Sequence, residues 1–437
     1  MIGDYLVMAQ DPIELLFGNK FDGTNLVFTP TNIAEDMIKM LPEDFWTPDI
    51  KLLDIYCKTG RFLKCAYNKL FNSPYLAYMT DQERKKHILS NQLYGICDDN
   101  TCVMISQRLV YGILQTEPCN IVYISKLQDM VNNKDQRFFY EALRKELGTM
   151  QFDVVIGNPP YNKGMDLDFV DLGFKLSKQY TVMITPAKWQ TASASQSVAS
   201  KNMNYEQFRK MIVPHISKVC FYPDCSDIFN IGQIDGITYY LTDKGVHDKC
   251  QVRNVSRLQK AFNNEEMRDI RNQQSLINIG NAIYEYISKY KQYNIQSNDL
   301  TKRYKYSVNQ LYSLGGGSPW NRVLLTIDGK CKVVGAGYIV ENETDYKAGV
   351  SQYIFSSDNK AECESFVSWL NCKLIRFMLI CNVSKLTVTF DDDYFRFVPA
   401  PPSGKFDHIY TDQELYQAFN LPQKYIDVIE AVIKERK

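Results

Sequence analysis

Asp153-Val154-Val155-Ile156-Gly157-Asn158-Pro159-Pro160-Tyr161 is the stretch that decides the fold. The apolar run ending in glycine predicts a short buried strand, and the prolines close it because they have no N–H to give a ladder. An amine attached to an aromatic ring is a poor nucleophile, since its lone pair is spread into the ring. Accepting hydrogen bonds from both of its N–H groups pulls the nitrogen toward tetrahedral geometry and localises that pair. The Asn158 side-chain oxygen and a main-chain carbonyl near Pro159 can supply the two acceptors, and Pro159 and Pro160 bring no N–H to compete. Tyr161 offers a flat face on which a base can stack. Attack on a sulfonium methyl is in line and needs no strong general base. The alternative is a turn that only closes the strand, for which Asn-Pro-Pro is suitable chemistry.

Working outward, six more β-rich runs (51–54, 92–97, 120–125, 180–185, 218–222 and 236–242) alternate with helical patterns. That alternation predicts an α/β fold built on a parallel sheet wound with helices. Cys102, Ile105 and Leu109 share one helical face, and Met165, Phe169, Leu172 and Leu176 share another. The motifs fall at strand carboxyl ends, where open α/β sheets bind ligands. After residue 245 the alternation stops. A polar helical stretch over 255–295 leads to Gly315-Gly316-Gly317-Ser318-Pro319, which reads as a loop or hinge. Mixed short strands follow, then a helical end. Thr411 and Glu414 form a capping-box pattern, and a last helix after Pro422 puts Tyr425, Ile429 and Val432 on one side.

The chain has 437 residues, 45% apolar and 23% charged, which is globular composition with material for two to three domains. No window approaches ~18 uninterrupted apolar residues, and the first residues lack a signal peptide's basic flank and apolar core. A soluble, cytoplasmic protein without membrane contact is expected. None of the 12 cysteines falls in a CxxC pair and there are four histidines, so no metal is expected and the thiols should be free. Fifty basic residues balance fifty acidic ones, but 246–310 holds eleven basic against six acidic. Tyr284, Tyr286, Tyr290, Tyr293, Tyr304 and Tyr306 are interleaved with them. This suits a surface that tracks phosphates, or equally a solvated helical face with tyrosines against a core.

Together the motifs resemble the gamma-class N6-adenine DNA methyltransferases, particularly the restriction–modification group, over essentially the whole chain. Phe28-Thr29-Pro30 is similar to that family's N-terminal cofactor motif. Leu53-Asp54-Ile55-Tyr56-Cys57-Lys58-Thr59-Gly60-Arg61-Phe62-Leu63 is similar to its motif I, although the family often has two or more glycines where this chain has Lys58 and Thr59 before its only one. Residues 93–112 resemble the second strand and helix, and Asn158-Pro159-Pro160-Tyr161 is motif IV. Ile184-Thr185-Pro186-Ala187-Lys188-Trp189 resembles a later strand end. Asp224-Cys225-Ser226-Asp227-Ile228-Phe229, followed by 236–241, resembles the segment whose aromatic residue meets the flipped base.

The resemblance implies a Rossmann-like S-adenosyl-L-methionine-dependent catalytic domain at 1–245 and a DNA target-recognition domain with a helical tail at 246–437. Thr29, Pro30, Asp54, Gly60 and Asp98 become the expected cofactor residues. Asp54 would meet the methionine ammonium, and Gly60 would let backbone approach and open a helix. Asp98 would hold the ribose hydroxyls, with Asp99 as a helix N-cap; the alternative is that both only cap and are solvated. Asn158, Pro159, Pro160 and Tyr161 become catalytic, and Phe229 the second wall of the base pocket opposite Tyr161, or an ordinary core aromatic. The implied partners are double-stranded DNA and a separate restriction endonuclease or specificity subunit. Methylation of RNA or of a protein glutamine is one alternative, and a non-catalytic DNA-binding subunit with a decayed cofactor site is another. A metal nuclease using Pro48-Asp49 and Glu83-Arg84-Lys85 is disfavoured, because Pro48-Asp49 precedes the motif I strand and Glu83 falls in a polar helix inside the methyltransferase sheet.

Overall fold

The structure, a computed structural model, describes residues 28–112, 118–190, 200, 202–222, 228–229, 236–255, 264–270, 283, 287, 289–290, 306–309, 339–340, 353–357, 359–382 and 398–433. Nine strands form one sheet: β1 (Leu52–Asp54), β2 (Leu93–Cys97), β3 (Ile121–Tyr123), β4 (Phe152–Gly157), β5 (Ser177–Pro186), β6 (Ile216–Tyr222), β7 (Ile237–Asp243), β8 (Cys250–Asn254) and β9 (Asn264–Arg268). Their order is β3-β2-β1-β4-β5-β7-β6-β8-β9. The pairs from β3 through β5 are parallel, whereas β7 runs antiparallel to both of its neighbours, β5 and β6. From β1 the chain winds to β2 and β3 on one side, then returns to place β4 on the other. The topological switch point therefore lies between β1 and β4, and a ligand crevice belongs outside their carboxyl ends.

Both faces of the central strands are covered, which is why those strands read as nearly continuous apolar runs. Leu52, Val154, Ile156 and Val182 join the core on one face, and their neighbours Leu53, Phe152, Val155 and Met183 join the core on the other. Helices α1 (Thr31–Lys39), α2 (Arg61–Phe71), α3 (Asp81–His87) and α4 (Asn100–Tyr111) lie along the chain between residue 31 and β3. The first face takes Ile33 and Met37 of α1, Phe62 and Leu63 of α2, and Cys102 and Val110 of α4. Helix α3 buries none of its residues. Its Glu83 is engaged in a reciprocal capping box with Thr80, which is the work this residue does here. Helices α5 (Leu127–Val131), α6 (Arg137–Leu147), α7 (Met165–Leu176) and α8 (Tyr205–Ile212) follow. Leu127, Phe139, Leu143, Phe169, Leu172, Leu176, Phe208 and Ile212 pack from them onto the second face.

Two expectations need correction. Helix α4 buries Cys102, Ser106 and Val110, so its inner face is rotated one residue from the Cys102/Ile105/Leu109 reading. The physical reason is close approach: a Cβ on Gly60 would sit 3.0 Å from the Ser106 Cβ and 3.1 Å from Val110 Cγ2, so a small residue faces inward there. The polar stretch read as helix over 255–295 contains strand β9, whose Glu265, Glu266 and Arg268 suit an edge strand. The sheet itself continues past residue 245, from β7 to β8 and on to Arg268.

The basic surplus after 245 also separates into parts. Arg253 of β8 is half-buried and donates to Asp36 of α1 and to the Tyr239 hydroxyl (2.9 Å), tying α1 to the sheet. Tyr290 packs edge-to-face on Phe419, with ring centroids 4.9 Å apart. Arg257, Lys302, Arg303, Lys305 and the glycine cluster at 315–317 lie outside the described residues. A second, antiparallel sheet joins β10 (Tyr306–Asn309), β11 (Ile339–Val340) and β12 (Tyr353–Ser357) in the order β11-β10-β12. Helices α9 (Lys360–Asn371), α10 (Lys373–Asn382), α11 (Asp412–Ala418) and α12 (Gln423–Val432) close the chain, burying Trp369, Phe377, Leu415 and Ile429. Thr411 caps α11 by accepting from the Glu414 amide, but the Glu414 carboxylate turns to His408. Among the described residues no helix is long and apolar enough to cross a membrane.

Candidate active site

Asp54 ends β1 and Gly157 ends β4 beside it, in parallel register with Asp54 opposite Ile156. Asp54 is buried at 1% exposure, with Oδ1 accepting from the Tyr56 amide at 3.3 Å. Burial pushes its carboxyl up to about 7, against the Tyr56 amide, the Cys57 thiol and the Lys58 ammonium, which all favour the charged form. A carboxylate so poorly compensated is suited to receiving a cation. Gly60 caps α2 in the left-handed region at φ +77. That backbone, together with its contact on Ser106, accounts for the glycine; the hydrogen that a side chain would replace faces α4.

At the end of β2 the two aspartates separate as the sequence suggests. Asp99 caps α4, accepting from the amides of Thr101 (2.7 Å) and Cys102 (3.1 Å). Asp98 is half-buried and turns toward β1, where its Oδ2 accepts from the Tyr56 hydroxyl and from Gln128 Nε2, both at 2.7 Å. Burial, with Asp98 alongside, keeps the Tyr56 phenol protonated and so a donor. Cys97, the last residue of β2, points its thiol at the Cys57 carbonyl. Lys58 lies in the same loop, its Nζ 5.3 Å from the Tyr56 ring centroid. Burial pulls its ammonium down to about 8, opposed by Asp54 and Asp98.

Asn158 follows β4 and is buried. Its Nδ2 donates to Thr29 Oγ1 at 2.9 Å, across 129 residues of sequence. Among the described residues no donor reaches Asn158 Oδ1. Thr29 is held in turn: its carbonyl accepts from Arg61 Nη1 at 2.7 Å, and Pro30 begins α1, its carbonyl accepting from Ile33 and Ala34. The Thr29 side chain thus serves Asn158 and the Pro30 carbonyl serves the helix. Pro159 is buried, while Pro160 and Tyr161 are half-buried, and Tyr161 packs against the first-face core. Phe229 belongs to that same core and is fully covered, so its ring presents no open face to a base.

One narrow cleft gathers Thr29, Asp54, Gly60 and Asn158, with Tyr56, Lys58 and Arg61 also on its wall. These last three, and Gln128, were not expected from the sequence; only the Lys58 departure from the glycine pattern marked its position. Two of the polar groups on its wall could serve a cofactor and a substrate: Asp54, a buried and only partly compensated carboxylate, could meet a cation, and Asn158 Oδ1 is an acceptor without a donor, whereas Asp98 stands at the end of β2 outside the residues that line the cleft. The space is tight. The enclosed volume is about 20 Å³, whereas small-ligand clefts run to roughly 300 Å³ and above.

Residues 91–221 match the Eco57I restriction-modification methylase family. An "Uncharacterized adenine-specific methylase" of Mycoplasma pneumoniae (strain ATCC 29342 / M129 / Subtype 1) is 23% identical, the match covering 46% of this chain and 64% of that protein. The chain thus spans less than two thirds of that relative. Among solved structures, the modification subunit of a putative type I restriction enzyme from Vibrio vulnificus YJ016 is 14% identical, with a TM-score of 0.36 over 52% of this chain and 47% of that one. A nuclease-deletion mutant of the Type ISP restriction-modification enzyme LlaGI, in complex with a DNA substrate mimic, is 11% identical, with a TM-score of 0.46 over 72% and 37%. With its central segment, from just before β2 into β6, matching the Eco57I restriction-modification methylases, the chain resembles the N6-adenine methyltransferases of restriction–modification systems.

Proposed function

We propose that this chain methylates adenine N6 in duplex DNA at a specific site, using S-adenosylmethionine, as the modification component of a restriction–modification or phage-defence system. The observation that carries the reading is the buried Asn158 Oδ1, left without a donor by an amide that Thr29 holds from its other end. That oxygen accepts one N6–H, and the carbonyl at Pro159 accepts the other, which localises the lone pair for attack. Tyr161 stacks on the extruded base. Asp54 holds the cationic end of the cofactor and Asp98 its hydroxyls, in exchange for the Tyr56 and Gln128 donors. When bound, the cofactor would supply a methyl group on a sulfonium, with the thioether as the leaving group. The N6 proton then leaves to water. Site reading and partner contacts, with DNA and with a nuclease or specificity subunit, fall to residues beyond the sheet, after about residue 270.

Labelled S-adenosylmethionine with purified protein should mark duplex DNA at adenine N6. Label confined to RNA or to protein glutamine would reject this reading. The second reading, a DNA-binding subunit with a decayed cofactor site, draws on the small cleft volume and the Lys58 side chain in it. Calorimetric titration with the cofactor separates the two, since the decayed subunit would bind none.

Thr29 gives a finer test. Thr29→Val keeps the shape and removes the acceptor that holds the Asn158 amide. One hydrogen bond of about 1–1.5 kcal/mol then no longer orients Oδ1, so turnover should fall by roughly ten-fold with cofactor affinity unchanged. Thr29→Ser, which keeps the hydroxyl, should recover it. A loss of cofactor affinity in Thr29→Val without loss of turnover would return Thr29 to a direct cofactor role.

A further inference from the structure

We propose that Lys58 is a tethered cation that occupies the cofactor cleft beside Asp54 and Asp98, and that it lowers cofactor affinity because it must leave when S-adenosylmethionine binds. The inference rests on the methyltransferase reading. Its starting point is a substitution in kind: between Asp54 and Gly60, where the resembled family often carries glycine, this chain places a long side chain ending in a positive charge. Glycine would put nothing into the crevice at the switch point. Lysine puts in a stem of four carbons and an ammonium.

Lys58 lines the same narrow cleft as Asp54, Thr29 and Asn158. Its Nζ stands 5.3 Å from the Tyr56 ring centroid, and the Tyr56 hydroxyl donates to Asp98 at 2.7 Å. Among the groups acting on it are Asp54 from β1, Asp98 from the end of β2, and Cys102 from α4. The two carboxylates are the ones that the proposed function assigns to the cofactor. S-adenosylmethionine brings its own positive charges, a sulfonium and an ammonium, to this cleft. In a desolvated site two cations cannot share those acids without strong repulsion. The roughly 20 Å³ left open is the space remaining with Lys58 in place.

Moving out is feasible for this residue. The lysine stem is flexible, and the ammonium regains water that burial had removed, as its depressed proton affinity reflects. What it loses is the attraction of the two acids, and that loss is subtracted from cofactor affinity. In exchange, the protein without cofactor has a partial counter-charge for Asp54.

The test is calorimetric titration of the full chain with S-adenosylmethionine, alongside melting temperatures with and without it. Lys58→Ala should bind about ten-fold more tightly, equivalent to ~1.4 kcal/mol. Lys58→Met, which keeps the apolar stem and guards against a folding defect, should also bind more tightly, while Lys58→Arg should not. Cofactor should raise the melting temperature of the alanine and methionine variants further than that of the wild type. Weaker binding by Lys58→Ala would overturn the proposal and make Lys58 a ligand for the cofactor's carboxylate. Equal affinity in wild type and both neutral variants, or tightening in Lys58→Ala alone, would also overturn it while leaving the methyltransferase reading intact. If neither wild type nor any variant binds the cofactor, the methyltransferase reading fails and this inference with it.

Discussion

Replacing Asn158 with alanine is expected to lower turnover on DNA by about 10²-fold or more while cofactor affinity stays within about two-fold. The asymmetry follows from what each end of the amide touches. Nδ2 is engaged by Thr29, so the side chain is already oriented before any substrate arrives. Oδ1 is buried without a donor, so it carries a desolvation cost that a substrate N–H would relieve. An acceptor held ready in this way is worth most where the amine nitrogen is developing positive charge, which is the transition state. Truncation also strands Thr29 Oγ1, at a cost of about 1 kcal/mol in stability. Asn158→Asp keeps an acceptor, which the Thr29 hydroxyl can hold by donating, and should retain more turnover than Asn158→Ala. The measurements are single-turnover methylation and cofactor calorimetry on the same preparations. Equal loss of cofactor affinity and turnover in Asn158→Ala would place the residue in cofactor binding instead.

Local chemistry explains which parts of this arrangement were legible in the sequence. Strand β4 ends where expected because Gly157 and the two prolines after Asn158 leave it no way to continue. Strand β5 starts three residues earlier than its apolar run, since Ser177, Lys178 and Gln179 are extended without being apolar. At the far edge, β9 reads Asn-Glu-Glu-Met-Arg over 264–268, a polar pattern shared with solvated helices, although Arg268 is buried. Periodicity does not separate these two cases. The Asp99 cap was legible because an N-cap is decided within three residues. The Tyr56–Asp98–Gln128 network was not, because its members come from three elements separated by up to 72 residues. The same holds for Thr29, whose place in a cofactor-like motif says nothing of an amide 129 residues away. Phe229 was judged by its sequence neighbourhood. It is fully buried within the first-face core, whose members only the fold brings together.

Asp54→Asn should make the cofactor-free protein more stable at pH 8 while abolishing cofactor binding. The sign follows from the direction of the shift. In the unfolded chain the Asp54 carboxyl titrates near 3.8, and in the folded protein burial raises this to about 7. Folding therefore takes up a proton between these values. The penalty for Asp54 is absent below about pH 3.8, grows as pH rises, and is complete above about pH 7. At ~1.4 kcal/mol per pH unit, the full penalty is roughly 4 kcal/mol as an upper bound. Asparagine has nearly the same shape and no charge to desolvate, so the variant escapes the penalty. Its advantage over wild type should vanish near pH 4 and open through pH 7. Denaturation midpoints of both proteins across that range make the comparison. Saturating S-adenosylmethionine should reverse the order at pH 8, because a cation beside Asp54 compensates its charge and has nothing to compensate in the variant. A pH-independent difference between the two proteins would mean that Asp54 is solvated in the folded state, and a variant that still binds cofactor would remove it from the binding site. Stability given up at one buried carboxylate, and recovered when a cation arrives, is what a binding site predicts and a structural ion pair does not.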